Sequence, residues 1–378
     1  MKTFLFSILI FFGVYSNAQT YSQNFNVDIE NKDVKNIVDL WQSYLKTNSR
    51  DDWDKSEVKD LKNFNILDID GVINPSLMNW HFNNRILSVN PISENTYLIK
   101  SMFQTDANEV FAITNVLAKK IGSQFKLSNY IFEYTKDWKT DQELNIKYIH
   151  RAEYNLNKNE INETEEFYSQ LCQIFDVKPE KLTYFIAKDC DNIFDILGFE
   201  YIFQKGGQKE CGYFESKNNF IFATEKAGAN HYHEITHFIN DFYPNANQLL
   251  LVGISAYLGK DKAHFGKPLI FHTKRVDAYL KENIGINLSK PFDFYKLDEK
   301  TNPQYVIGAV ICELILEKGG KKELINAFRN TKTDEDLIKY LKTNILRENE
   351  NLNTVLRNKI SEISKLDEFP DFFKNSIQ

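Results

Sequence analysis

The sequence is short of the residues that mark special scaffolds. Its 378 residues include 8 Pro and 15 Gly, too few for a collagen-like or low-complexity chain, so the composition reads as ordinary globular protein. Four cysteines are present, and no two have the short spacing of a zinc knuckle. Basic charge is not in excess: 46 Lys and Arg stand against 52 Asp and Glu. That balance argues against nucleic acid, whose partners carry a clustered basic surface. Beyond the first residues no apolar run approaches the roughly 20 residues that span a bilayer. No internal repeat appears.

The start of the chain has a separate meaning. Met1-Lys2 is followed by the apolar run Phe4 to Val14 and then Tyr15-Ser16-Asn17-Ala18-Gln19. A charged start, a short apolar stretch and a small residue at the exit describe a secretory signal peptide over 1–18. The mature chain is expected to begin near Gln19 and to reach the periplasm or the outside of the cell. Without Lys2, 45 basic residues face 52 acidic ones, a net charge of −7. Export permits disulfides. Cys172, Cys190, Cys211 and Cys312 allow three pairings, among which Cys190 with Cys211 is favoured by proximity. Cys172 and Cys312 lie in apolar helical patterns that equally suit buried thiols.

About 360 mature residues are enough for two domains, and the expected class is α+β. In the first block, 19–142, Val34, Ile37, Val38, Trp41 and Leu45 fall at helical spacing. Three runs of strand character follow: Thr96 to Gln104, Glu109 to Lys119 and Gln124 to Tyr134. The second run is apolar on both faces, as a covered central strand should be. Asp106-Ala107-Asn108 and Ile121-Gly122-Ser123 suit antiparallel turns. The block loosely resembles the cone-shaped folds of the nuclear-transport-factor-2 type. Lys136 to Asn145 is polar and reads as a linker. The second block, 146–378, opens with a helix carrying Phe167, Leu171, Ile174 and Phe175 and a strand from Thr183 to Ala187. A short strand, Asn219 to Ala223, precedes helices near 228–241, 247–258, 267–282, 304–317, 321–328, 333–342 and 350–365.

Chemistry concentrates in His233-Glu234-Ile235-Thr236-His237. On a helix, His233 and His237 project from one face one turn apart, and two such imidazoles can bind one Zn²⁺. Glu234, beside the metal and not on it, can take a proton from an acidified water. These residue types at this spacing serve metallopeptidases. His231 reads as a cap or supporting residue.

The pattern resembles the gluzincin zinc metallopeptidases, the aminopeptidase N or peptidase MA-like superfamily. The run from Gln248 to Gly259 is similar to that family's Leu-x-Glu-Gly-x-Ala-x-Tyr-Leu helix, with Gly253 and Tyr257 matching, but Val252 occupies the position of the third zinc ligand. No glutamate occurs between Glu234 and Glu282, so a shift of register cannot restore it. Asp241, His264 and His272 are the other candidates. Tyr305-Val306-Ile307-Gly308-Ala309 is similar to the family's Tyr-x-x-Gly-Ala helix, which implies that Tyr305 faces the oxyanion. The pair Gly319-Gly320 looks like a helix stop. The family's Gly-x-Met-Glu-Asn motif is absent, so recognition of a free N-terminus is not implied. The strand Asn219 to Ala223 is expected to be the edge that holds an extended peptide.

Three functional readings follow. One is an exported zinc metallopeptidase acting on a peptide or protein substrate, with Glu234 and Tyr305 catalytic and His233 and His237 on the metal. Another is a non-catalytic relative that keeps the groove and binds a peptide or partner. The third is an exported structural or adaptor protein in which the histidines are incidental. The sequence carries no signal for oligomeric state.

Overall fold

A computed structural model describes residues 21–55, 64–69, 73–259, 262 and 266–376. The signal-peptide segment 1–18 and His264 lie outside these residues. The chain divides into two compact units. The first takes the described residues up to Tyr130 together with Leu197–Gln204, and the second takes Ile131–Ile196 and Lys205 onward. Both mix sheet and helix, and the second ends in a mainly helical region, an α+β protein.

The first unit contains β1 (Tyr21–Gln23), α1 (Lys32–Thr47), α2 (Pro75–His81), β2 (Asn83–Ser93), β3 (Thr96–Gln104), β4 (Val110–Ile121), β5 (Gln124–Ser128) and, from the return segment, β9 (Phe199–Ile202). Helix α1 starts at Asn31, whose side chain accepts from the amides of Asp33 and Val34, and stops at Asn48 in the left-handed region. Its buried face is Val34, Ile37, Val38, Trp41, Tyr44 and Leu45, the helical spacing of the sequence. The sheet runs β1-β2-β3-β4-β5, and β9 also pairs with β4. Strand β4 therefore has ladders on both edges and is a central strand of the sheet. The turn residues Asn108 (φ 65°) and Gly122 (φ 62°) take the left-handed conformation. The last expected strand ends early, at Ser128, and α3 (Ile131–Tyr134) follows.

The second unit is built on β6 (Lys139–Glu143), β7 (Ile146–His150), β8 (Leu182–Ala187), β10 (Gly212–Glu215) and β11 (Phe220–Thr224), in the order β10-β11-β8-β7-β6. Strands β7, β8 and β11 are parallel, and the outer strands β10 and β6 pair antiparallel. The parallel neighbours β7 and β8 are joined through α4 (Lys158–Phe175), and β8 is followed by α5 (Cys190–Leu197). Every residue of β11 is buried, as expected for a strand covered on both faces.

Two expectations change here. Segment 136–145 is no linker, because β6 occupies it. All five residues of β6 are exposed, so its structure comes from the backbone ladder with β7 and leaves no apolar alternation to read. The strand at 219–223 is not an edge either. Strand β11 lies between β10 and β8, and the edge is β10, only four residues long.

The helices that follow are α6 (Tyr232–Asn240), α7 (Gln248–Leu258), α8 (Leu269–Glu282), α9 (Pro303–Asn330), α10 (Asp334–Tyr340), α11 (Leu352–Ile363) and α12 (Phe372–Ser376). Gly320, at φ 66° and ψ −168°, breaks α9, a conformation open essentially to glycine alone. Cys190 and Cys211 form a disulfide with Cα atoms 5.8 Å apart, whereas Cys172 and Cys312 are buried thiols. Among the described residues no helix is long and apolar enough to cross a membrane.

Helices α7 and α9 meet at two glycines. A Cβ on Gly253 would sit 2.2 Å from the carbonyl carbon of Gly308, and one on Gly308 would sit 2.2 Å from the carbonyl oxygen of Leu249. Backbone has no rotamer with which to yield. Gly253→Ala is therefore expected to force the helices apart and to cost at least the ~1–3 kcal/mol typical of overpacking, read as a lower urea midpoint. An unchanged midpoint would show that the crossing adjusts freely.

Candidate functional site

Helix α6 carries one short stripe of polar chemistry on an otherwise apolar element. Ile235, Phe238 and Ile239 are buried, with the Phe238 ring 5.2 Å from that of Tyr168 on α4. That packing fixes the rotation of the helix, and the periodicity then sends His233 and His237 to a common side. Their rings lie 5.0 Å apart, nearly perpendicular. The ligand atoms of His233, Glu234 and His237 all fall within 4.8 Å of one another.

The second nitrogen of His237 is held from behind. Nδ1 is 2.8 Å from the Asn240 amide nitrogen and 3.4 Å from Ser255 Oγ on α7. Asn240 Oδ1 has no hydrogen-bond partner among the described residues. Turning that amide over lets Oδ1 accept from Nδ1–H and presents Nε2 as a lone pair to the cluster. An outer hydrogen bond of this kind sets the tautomer of a ligating imidazole. Two imidazoles at this spacing suit Zn²⁺, with the Glu234 carboxyl beside them, so the residues present fit the metal.

Among the described residues, no third ligand comes from Val252, Asp241 or His272. Val252 stands one turn before Ser255, on the same side of α7 by helical spacing, and offers no lone pair. Asp241 caps the end of α6 and is exposed; it lies outside the cluster. His272 is buried on α8, with Nδ1 3.0 Å from Thr301 Oγ1, and is also outside it.

Burial dominates the electrostatics. It pushes the Glu234 carboxyl up to about 8, because an isolated carboxylate is costly away from water. Tyr305 opens α9 behind Asn302 and Pro303, and its ring lies 6.0 Å from that of His233 at 29°. Burial, then the nearby Glu234 charge, raises its phenol to about 12, so it stays protonated.

Two further residues border the cluster: His231, expected as a cap or supporting residue, stands at the N-cap of α6 without a side-chain cap bond, and Gly212 left no signal of the site in the sequence. His231 is buried, and burial, with His233 and Lys262 adding to it, lowers its imidazole to about 3. Gly212, first residue of the edge strand β10, is where a Cβ would stand 2.4 Å from Glu234 Cγ and 2.6 Å from His231 Cε1. Only a glycine lets the strand run this close. Its one sequence cue is its place after Cys211, which says nothing of the site.

No family model matches the sequence, and no curated protein does. Solved structures of M1 zinc metallopeptidases share a distant structural similarity. A two-domain M1 zinc metallopeptidase mutant bound to L-arginine aligns at TM-score 0.34 and 9% identity, over 77% of this chain and 66% of that one. An M1 zinc metallopeptidase mutant from Deinococcus radiodurans gives 0.32 and 10%, over 79% and 69%. Another structure of an M1 zinc metallopeptidase from Deinococcus radiodurans gives 0.30 and 10%, over 74% and 64%. The chain thus spans about two-thirds of the length of these structures. Likeness at this level carries no argument about chemistry.

The raised carboxyl has a consequence for stability in the metal-free protein. Folding holds the proton on Glu234 more tightly than the unfolded chain does. Its stabilising contribution is full below about 4.5 and is lost as pH rises through about 8. His231, His233 and Tyr305 also face this region, so the comparison is made against Glu234→Gln, which keeps them. With chelator present, the natural protein is expected to lose stability relative to Glu234→Gln between pH 5 and 8, by on the order of a few kcal/mol. Parallel melting curves across that range would rule out a buried, protonated carboxyl.

Proposed function

We propose that the second unit is a zinc-dependent peptidase in which His233 and His237 hold the metal and Glu234 is the general base. The observation that carries the reading is the convergence of these three side chains within 4.8 Å. Bound zinc would supply Lewis-acid polarisation of the scissile carbonyl and lower the pKa of a bound water to about 7.

The other roles belong to the chain. The Glu234 carboxylate takes a proton from the attacking water and returns it to the amine nitrogen as the C–N bond breaks. Such a relay works best in a carboxyl whose pKa lies near the operating pH. The Tyr305 hydroxyl donates to the oxyanion, where charge appears only in the transition state. The outer edge of β10 offers main-chain N–H and C=O groups to an extended peptide, and Gly212 brings that edge against Glu234. The Cys190–Cys211 disulfide, one residue before β10, supports an oxidising compartment outside the cytoplasm.

One observation favours a second reading. Val252 leaves the family's glutamate position without a donor, which suits a relative that binds peptide without turnover.

Elemental analysis of the purified mature protein, without added metal, separates the two. Near-stoichiometric zinc is expected, and Glu234→Gln should retain it while losing at least 100-fold in turnover of an unstructured protein substrate, in line with the about 10²–10⁴ that general base catalysis contributes. Undiminished turnover in that variant would sink the general-base role. A zinc-free natural protein that still binds peptides would favour the second reading.

A further inference from the structure

We propose that His231 is the third protein ligand of the metal, in place of the glutamate that Val252 has displaced. This rests on the zinc reading above. His231 is 7% exposed, and its Nδ1 has no hydrogen-bond partner among the described residues. A buried imidazole nitrogen left without a partner is costly, and coordination would supply what the protein does not. The ring stands 6.3 Å from that of His233, tilted 34° to it. It is thus the third imidazole of a continuous row, His231, His233 and His237.

Residues that alternate by two on a regular helix would face apart, and the backbone shows why these do not. His231 precedes α6, with φ −77° and ψ 74°, and makes no side-chain cap bond. Its main chain is anchored from both sides. The amide donates to the Tyr184 hydroxyl at 3.2 Å, and the carbonyl accepts from the amide of Glu234 at 3.0 Å. The Tyr184 hydroxyl in turn donates to the carbonyl of Gly228. These bonds hold the main chain and leave the side chain's own torsions without a hydrogen bond. A turn of the side chain is needed, because its nitrogens lie outside the 4.8 Å cluster of the other three residues. Gly212 leaves the room for it. A side chain there would fill the space between the His231 ring and Glu234.

The test is a count of imidazoles around zinc by X-ray absorption on the full mature chain, with zinc affinity measured by chelator competition. Three imidazoles are expected in the natural protein and two in His231→Ala. The affinity of that variant should fall by more than the about 10–100-fold that losing an outer partner of a ligand costs. Val252→Glu placed in the His231→Ala background should recover the affinity by donating from the other side. His231→Gln, closer in size and polarity, guards against a folding defect, and metal-free melting curves check both variants. Two imidazoles in the natural protein, or unchanged affinity in folded His231 variants, overturns the assignment while leaving His233 and His237 as ligands. A natural protein that takes up no zinc overturns the metal reading and this one with it.

Discussion

The close approach of α7 and α9 is the constraint on which the rest of the second unit depends. Gly253 and Gly308 replace side chains with backbone at the crossing, so the helices approach more closely than side chains would allow. The approach places Ser255, half a turn beyond Gly253, against His237. It also sets the first turn of α9, so that Tyr305, three residues before Gly308, lies alongside His233. Two residues with no chemistry of their own thus decide where two polar contacts of the site fall.

Desolvation is the second organising effect. Glu234, His231 and Tyr305 are all shifted chiefly by burial, each toward its neutral form. A neutral imidazole is the form that ligates. A protonated phenol is the form that donates, and a carboxyl near 8 is one that exchanges its proton. The single cause, removal of water around the start of α6, raises the pKa of the two acids and lowers that of the imidazole because burial disfavours the charged form of each.

Much of this architecture was legible in the residues. The apolar spacing of α1 and of the helices from α6 to α11 is carried by side chains that are buried where the period requires. The two-faced apolar run of β4 announced a central strand. The closest cysteine pair is the one that bonds. What escaped is equally specific. Strand β6 has no buried residue and β10 is only four residues long, so neither leaves a pattern of alternating polarity. Taking β11 for the edge followed from missing β10.

By itself, the sequence determined the chemical stripe on α6, because i and i+4 on a helix share a face whatever surrounds them. It also determined that Val252 brings no donor, since that depends on valine alone. Which side of α6 meets water, which strand lies at the edge, and that His231 stands beside His233 were decided only by tertiary structure. Those facts come from contacts between segments far apart in the chain and from a backbone turn outside the helix, neither of which a local period encodes.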